Sequence, residues 1–316
     1  MQNYYFDQFR LSYIINMIAE RYIIEAVLGQ GGFGQVRRAV DTYTNTPVAL
    51  KICPLRHVHQ AQHEALLLQF ANKHDVDDKH HIVRLLHFGE YKNDCFIVME
   101  LLSQSLFDVL QSADFIGLPM ETMRTISKQL IEALMFLERL QIIHGDLKPE
   151  NILLCDPDRM QIKLIDFGLG NFADGNLSSL VQSRYYRAPE VLFNLQYDIS
   201  IDWWSLGCIM YELHTGKVLF EGTDDNDQAL CITALLGLPP IEFMLRGRNS
   251  LGNPQSVFIE QENGSYKPYK SATMTKSWTT LSTDDNFCNV LRRVLTWNKN
   301  LRDAPDVLKS HVFFQE

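Results

Sequence analysis

The chain has 316 residues and a mass of 36.5 kDa, enough for a large core and for two compact units. Apolar residues make up 46% and charged residues 21%, which excludes a disordered or fibrous chain. The net charge of −9 leaves no cationic footprint for nucleic acid, and no apolar run approaches the ~18 residues of a membrane span. "LSYIINMIAERYII" is interrupted by Glu20 and Arg21 and has no cationic leader, so it does not read as a signal peptide. The expectation is an intracellular protein, cytoplasmic or nuclear, monomeric, with no nucleic-acid or membrane partner. Six scattered cysteines without a C-x-x-C pair read as free thiols. His57, His59, His63, His74, His80, His81 and His87 cluster without a metal-ligand spacing and read as an exposed helix and loop.

In chain order, "RYIIEAVLG" reads as a strand entering a glycine turn, and "QVRRAVD" alternates with period two. "DTYTNTP" is a turn cluster and "VALKIC" a buried strand. "HQAQHEALLLQFAN" carries Ala65, Leu68 and Phe70 at helical spacing. "VRLLHFGEY" and "CFIVMELL" are two more strands around a polar turn. After Ser103 helical patterns take over, as in "ETMRTISKQLIEALMFLERL" and "DWWSLGCIMYELHTG". Residues 246–283, rich in Gly, Ser, Asn and Thr, read as an irregular insertion.

"LGQGGFGQV" sets Gly29, Gly31 and Gly34 in a G-x-G-x-x-G pattern, with Leu28, Gln30, Gly32, Phe33 and Gln35 between them and Val36 closing it. Dinucleotide turns share that pattern but open a helix, with an acidic residue ~20 positions on. Here a second strand follows, then "VALK", which describes a hairpin folded over phosphates. Lys51 ends that strand and suits the α- and β-phosphates. Glu64, the only carboxylate in the 59–72 stretch, is its expected partner. A ligand-free turn and unrelated surface charges are the plain alternatives.

"HGDLKPEN" (144–151) offers Asp146 as acceptor of a substrate hydroxyl proton, Lys148 to offset charge on a transferred phosphate, and Asn151 as an oxygen ligand. "LIDFGLG" adds Asp166 as the main ligand of a hard cation, Mg²⁺ rather than zinc. His144 and Phe167 read as packing. "YYRAPE" (185–190), "DWWSLG" and "LTWNKNLRD" follow, the last two supplying Asp202 and Arg302.

In this order the motifs resemble those of eukaryotic protein kinases over about 20–315, with Lys148 typical of the serine/threonine type. The resemblance implies an α+β, bilobal fold. A small antiparallel β lobe with one main helix (21–101) follows an N-terminal extension (1–20). A hinge (100–103) leads to a larger, mostly helical lobe (104–315) with an insert region at about 238–287. It implies ATP and Mg²⁺ as cofactors and protein Ser/Thr sites as substrates. By position, Met99 is the gatekeeper, Glu100 and Leu102 supply hinge backbone bonds, and Val36, Ala49 and Leu153 sandwich the adenine. Asp108 either reaches the ribose or caps a helix. Asp202 is expected to steady the catalytic-loop backbone and Arg302 to pair with Glu190.

"SRYYRAPE" carries Arg187, the arginine that the CMGC group sets beside the P+1 pocket. "QAQHEALLLQFANKHD", "HHIVRL" and "MELLSQSLFDVL" resemble the dual-specificity tyrosine-regulated (DYRK) family, with the homeodomain-interacting kinases next. Two features depart from it. The activation-loop Y-x-Y is replaced by "SSLVQSR", with Ser178 and Leu180 at the tyrosine positions, although Arg184 and Arg187 remain. The acidic homology box is not seen before residue 20. Gly145 also stands where H-R-D kinases carry arginine. The resemblance implies an active kinase; its departures imply that the activation segment holds largely through its own packing, with Ser178 or Ser179 as a replacement switch to test. A nucleotide-binding scaffold is the alternative.

Overall fold

The computed structural model describes residues 17–31, 34–92, 94–175, 177–178, 180–241 and 257–315. The expectations placed on 1–16, Gly32, Phe33, Ser179 and 246–256 lie outside the described residues. The chain divides between Ser103 and Gln104 into two compact units.

Period-two patterning builds the first unit. Strands β1 (Met17–Ile18), β2 (Tyr22–Gly31), β3 (Gly34–Asp41), β4 (Thr46–Pro54), β5 (Leu85–Tyr91) and β6 (Asp94–Glu100) form one antiparallel sheet in the order β1-β2-β3-β4-β6-β5. Tyr22, Ala39, Val48, Leu50, Phe96 and Val98 close a core on one face. Because side chains alternate along a strand, the positions between them face the other way. Val36 stands opposite Lys51, and Ala49 opposite Met99, so these four share the second face. Helix α1 (Val58–His74) buries Ala61, Glu64, Ala65, Leu67, Leu68 and Ala71. Phe70 is only half-buried and lies against His74 at 4.5 Å, outside the buried set. Strand β1 has no counterpart in the sequence reading.

The second unit is mainly helical. Helix α2 (Leu106–Ser112) starts at a capping box made by Ser105 and Asp108. Helix α3 (Met120–Arg139) buries one stripe, from Met123 and Ile126 to Leu134 and Leu137. Strand β7 (Ile142–Ile143) leads to the "HGDLKPEN" stretch, and β8 (Ile152–Asp156) pairs with β9 (Arg159–Leu164) as a hairpin after it. Strand β10 (Asn171–Phe172) pairs back onto β7. Every residue of helix α4 (Ser200–Thr215) from Ile201 to Leu213 is buried, which makes it the central rod of this unit. Helices α5 (Asp225–Leu236) and α6 (Asp285–Val294) follow. The described part of the insertion, 257–283, is more ordered than its composition suggested: Phe258–Glu260 and Tyr266–Pro268 form a hairpin, and Trp278–Leu281 is a helical turn. Each strand is only three residues long, too short for a period-two pattern to stand out among the polar residues around it.

Two buried ionisable groups on this scaffold generate tests. Arg302 meets both oxygens of Glu190 at 2.6 and 2.7 Å, with each side chain 2% exposed, the expected pairing. Arg302→Leu removes one partner and is expected to cost about 3–5 kcal/mol in urea unfolding. A loss under about 1 kcal/mol would show that the pair is not held. Glu212, on α4, accepts from the Tyr186 hydroxyl at 2.6 Å. Burial pushes its carboxyl up to about 7, from an ordinary value of 4.5. A carboxyl raised on folding favours the native state while protonated. Its contribution is therefore full below about pH 4.5 and lost as pH rises through about 7. Glu212→Gln should flatten that part of the Tm–pH curve. Parallel curves for the two proteins would contradict this.

Candidate active site

Each unit carries its own share of the expected residues. In the first, Gly29 pairs with Val36, Gln30 with Gln35 and Gly31 with Gly34, so β2 and β3 run together to the tip of the glycine turn. A Cβ on Gly34 would sit 2.2 Å from the Ile52 carbonyl oxygen, so no other residue fits against β4 there. Leu28 is half exposed beside a register shift at Val27–Gly29. Lys51 Nζ lies 2.9 and 2.8 Å from the two oxygens of Glu64. Both residues are buried, so the pair is held at low dielectric with its donors matched. Lys51 does not end its strand, as the sequence suggested, but stands inside β4, and it meets the turn of α1 that carries Glu64. Met99 is buried on the same sheet face. The Glu100 carboxylate accepts from the Arg84 amide at 2.7 Å. Leu102 is half-buried.

In the second unit the catalytic stretch hangs from Asp202. That fully buried carboxylate accepts from the His144 amide at 2.7 Å and the Gly145 amide at 3.0 Å. Burial pushes Asp202 up, while His144 and the two amides pull it back. Gly145 adopts φ +74°, and a Cβ there would lie 2.8 Å from the Leu169 carbonyl oxygen and 2.9 Å from Val181 Cγ2. His144 packs on Phe167 with ring centroids 4.7 Å apart. Its Nε2 faces the Ile165 carbonyl at 3.0 Å, while Nδ1 receives the Asp146 amide at 3.2 Å. A carbonyl only accepts, so the ring carries its proton on Nε2.

Asp146 is held at both oxygens. Oδ2 accepts from Lys148 at 2.7 Å and Asn151 Nδ2 at 3.2 Å; Oδ1 accepts from the Ser183 hydroxyl at 2.8 Å and amide at 3.1 Å. Lys148 also reaches the Ser183 hydroxyl at 3.1 Å. Asn151 directs its Nδ2 to the Asp146 backbone oxygen as well, at 2.8 Å, leaving its carbonyl oxygen as the donor for a cation. The Ile165 amide donates to the backbone carbonyl of Asn151, not its side-chain oxygen, at 3.0 Å, which sets Asp166 near Asn151 at the end of the β8–β9 hairpin. Asp166 itself takes a left-handed φ of +61°. These are hard oxygen donors of the kind Mg²⁺ takes alongside phosphate oxygens. Among the described residues no group of three or more His, Cys, Asp or Glu side chains forms a metal site by itself. Leu153 is half-buried between buried Ile152 and Leu154.

Asp108 takes the helix-capping role: its Oδ2 accepts from the Ser105 amide at 2.9 Å and hydroxyl at 2.7 Å. Arg184 and Arg187 both donate to Asp225 Oδ1, at 3.2 and 2.9 Å. Arg184 also meets the Thr223 carbonyl, and Arg187 that of Gln182. Tyr186 is buried, and Tyr185 is half-buried. Sequence reading missed Ser183, Gln182 and Asp225. Ser183 lies inside the quoted "QSR", but its contact with Asp146 spans 37 positions and has no local signature.

A protein kinase domain family model matches residues 22–314. Dual specificity tyrosine-phosphorylation-regulated kinase 2 of Drosophila melanogaster is 36% identical over 307 residues, covering 94% of this chain and 42% of that protein. Dual specificity tyrosine-phosphorylation-regulated kinase 4 of Homo sapiens is 34% identical over 98% of this chain and 60% of its own length. Probable serine/threonine-protein kinase dyrk2 of Dictyostelium discoideum is 38% identical over 90% and 32%. The chain thus spans between 32% and 60% of the length of these relatives. A crystallised kinase domain superposes with a TM-score of 0.86 over 95% of this chain and 97% of its own, at 24% identity, a likeness of fold. On a family match that takes in both units and every residue placed above, the chain belongs to the protein kinase family.

Proposed function

We propose that this chain is an ATP-dependent serine/threonine kinase of the DYRK type, acting on protein substrates in the cytoplasm or nucleus without an activating loop phosphotyrosine. The observation that carries the reading is the Asp146 carboxylate, fixed by Lys148, Asn151 and Ser183 within 3.2 Å. A base fixed in this way orients a substrate hydroxyl and takes its proton as the new bond to the γ-phosphorus forms and the bond from that phosphorus to the bridging oxygen breaks, releasing ADP. Lys148 offsets the negative charge that develops beside it. Lys51, aligned by Glu64, is the residue for the α- and β-phosphates. Asn151 and Asp166 would hold Mg²⁺, whose contribution when bound is to neutralise phosphate charge.

Gly145 fits this reading. H-R-D kinases carry an arginine there, and in this chain the space beyond its α-carbon is filled by Val181 and the Leu169 carbonyl. The activation segment itself lies where a side chain would start. No phosphate reader can be grown from this position without displacing the segment.

Three measurements test the proposal. Asp146→Asn should lower kcat for peptide phosphorylation by about 100-fold or more while nucleotide affinity, read by calorimetry, stays intact. A wild-type protein that binds Mg-ATP and transfers no phosphate would instead be a nucleotide-binding scaffold. Tyrosine-phosphatase treatment should leave activity unchanged; loss of activity would overturn the phosphotyrosine-free reading. Gly145→Arg and Gly145→Ala should both destabilise the protein, by about 1–3 kcal/mol, and reduce turnover, because the Cβ alone makes the clash at positive φ. Wild-type activity in Gly145→Arg would refute that account of the position.

A further inference from the structure

The segment after Leu180 is fastened by a side chain that the catalytic motifs do not include. Gln182 is 3% exposed. Its Nε2 lies 2.9 Å from the Ile201 carbonyl, 2.8 Å from the Ser205 hydroxyl and 3.3 Å from the Tyr186 carbonyl. Its Oε1 accepts from the Ala188 amide at 2.9 Å. The backbone of the same residue is used at both ends. The Gln182 amide donates to the Gly145 carbonyl at 2.7 Å, and the Gln182 carbonyl accepts from Arg187 Nη2 at 2.8 Å and Nε at 3.2 Å. One residue therefore joins the catalytic loop, the "YYRAPE" stretch and α4.

Its backbone has φ +62°, left-handed for a residue that is not glycine. Such a conformation persists only where the surroundings over-determine it, and it is found at sites whose geometry matters. The next residue is Ser183, whose amide and hydroxyl both donate to Asp146 Oδ1. The turn at Gln182 is what directs them there.

We propose that Gln182 is a positioning residue for phosphoryl transfer, fastening the activation segment to the catalytic loop through neutral hydrogen bonds, so that Ser183 and Asp146 are aligned without a loop phosphate. The proposal rests on the kinase reading above and deepens it. Magnitude decides between Gln182 and the other candidate fastener, Asp225. The Asp225 side chain is 55% exposed and Arg184 42%, the regime in which ion pairs contribute little and are screened by salt. A buried amide is different in kind. Removing it leaves the Ala188 amide and two carbonyls of the core without a partner they now have, each a desolvated polar group.

Two substitutions and one partner variant test this. Gln182→Met keeps the length and removes every polar atom of the side chain. Its kcat should fall about tenfold or more, with nucleotide affinity within about twofold of wild type. Amide exchange at Gln182 and Ser183 should speed up by about tenfold or more. Gln182→Glu keeps the acceptor for Ala188 but loses donors while ionised. It should behave like the methionine variant at high pH and recover as pH falls and the carboxyl gains a proton. A residue that merely fills space would give near-wild-type turnover in Gln182→Met and no such pH recovery, and that result overturns the proposal. Should Gln182→Met not fold, Ser205→Ala removes the hydroxyl that accepts from Gln182 and donates to the Tyr186 carbonyl, and about a threefold loss of kcat with faster exchange at Ser183 is expected; wild-type kcat and exchange in that variant count against it. Exchange is read without turnover. A wild-type protein that transfers no phosphate would sink the kinase reading, while the exchange arm would still judge the role of Gln182.

Discussion

One carboxylate sets the geometry of the second unit. Asp202 has no exposed surface, and its oxygens are matched to two successive amides, His144 and Gly145. A carboxyl so placed is tolerable only because those donors are fixed on it. Turning two neighbouring amides toward one carboxyl group forces the chain to reverse, which is the φ of +74° at Gly145. The reversal presents the Gly145 carbonyl to the Gln182 amide and points Asp146 at Ser183 and Lys148. Through the ring of His144 the same anchor reaches the Ile165 carbonyl, and so the residue before Asp166. Two loops, one carrying Asp146 and Asn151 and the other Asp166, are therefore aligned by one buried carboxylate on a central helix.

How much of this was legible depended on whether the partners share a motif. The glycine turn was legible because three glycines, a following strand and "VALK" are adjacent in sequence. Glu64 was legible because the helix that had to supply a carboxylate holds no other. Glu190 and Arg302 were legible only through family resemblance, since 112 residues separate them. Ser183, Gln182 and Asp225 carry no spacing signal. Their roles come from where the segment runs in space, and an amide side chain has no motif to announce what it bonds. Asp108 shows the opposite hazard. A local rule, Ser three residues before an acidic residue at a helix start, accounts for its observed bonds.

Gly145 and Leu180 belong to one physical arrangement. Leu180, where the DYRK resemblance places the second tyrosine, is 80% exposed, so nothing of this segment's hold comes from that side chain. The hold lies on either side of it. Tyr197 donates its hydroxyl to the Ser178 carbonyl at 2.7 Å, and Gln182 grips the other flank. Val181, between Leu180 and Gln182, is buried against Gly145. With an arginine at 145, Val181 would have no place to go; with glycine there, the segment packs directly on the catalytic backbone.

The chemistry of these contacts separates them from a phosphate switch. A phosphate adds nearly two negative charges and reorganises arginines around them, a contact that can be made, erased and screened. Hydrogen bonds between buried neutral groups respond to none of these, because their donors and acceptors keep the same charge across physiological pH and see little of the bulk ions. Arg184 and Arg187 already bond to Asp225 and to the Thr223 and Gln182 carbonyls, one carboxylate shared between two guanidinium groups. On the reading proposed above, what fixes Ser183 on Asp146 is settled when the second unit folds.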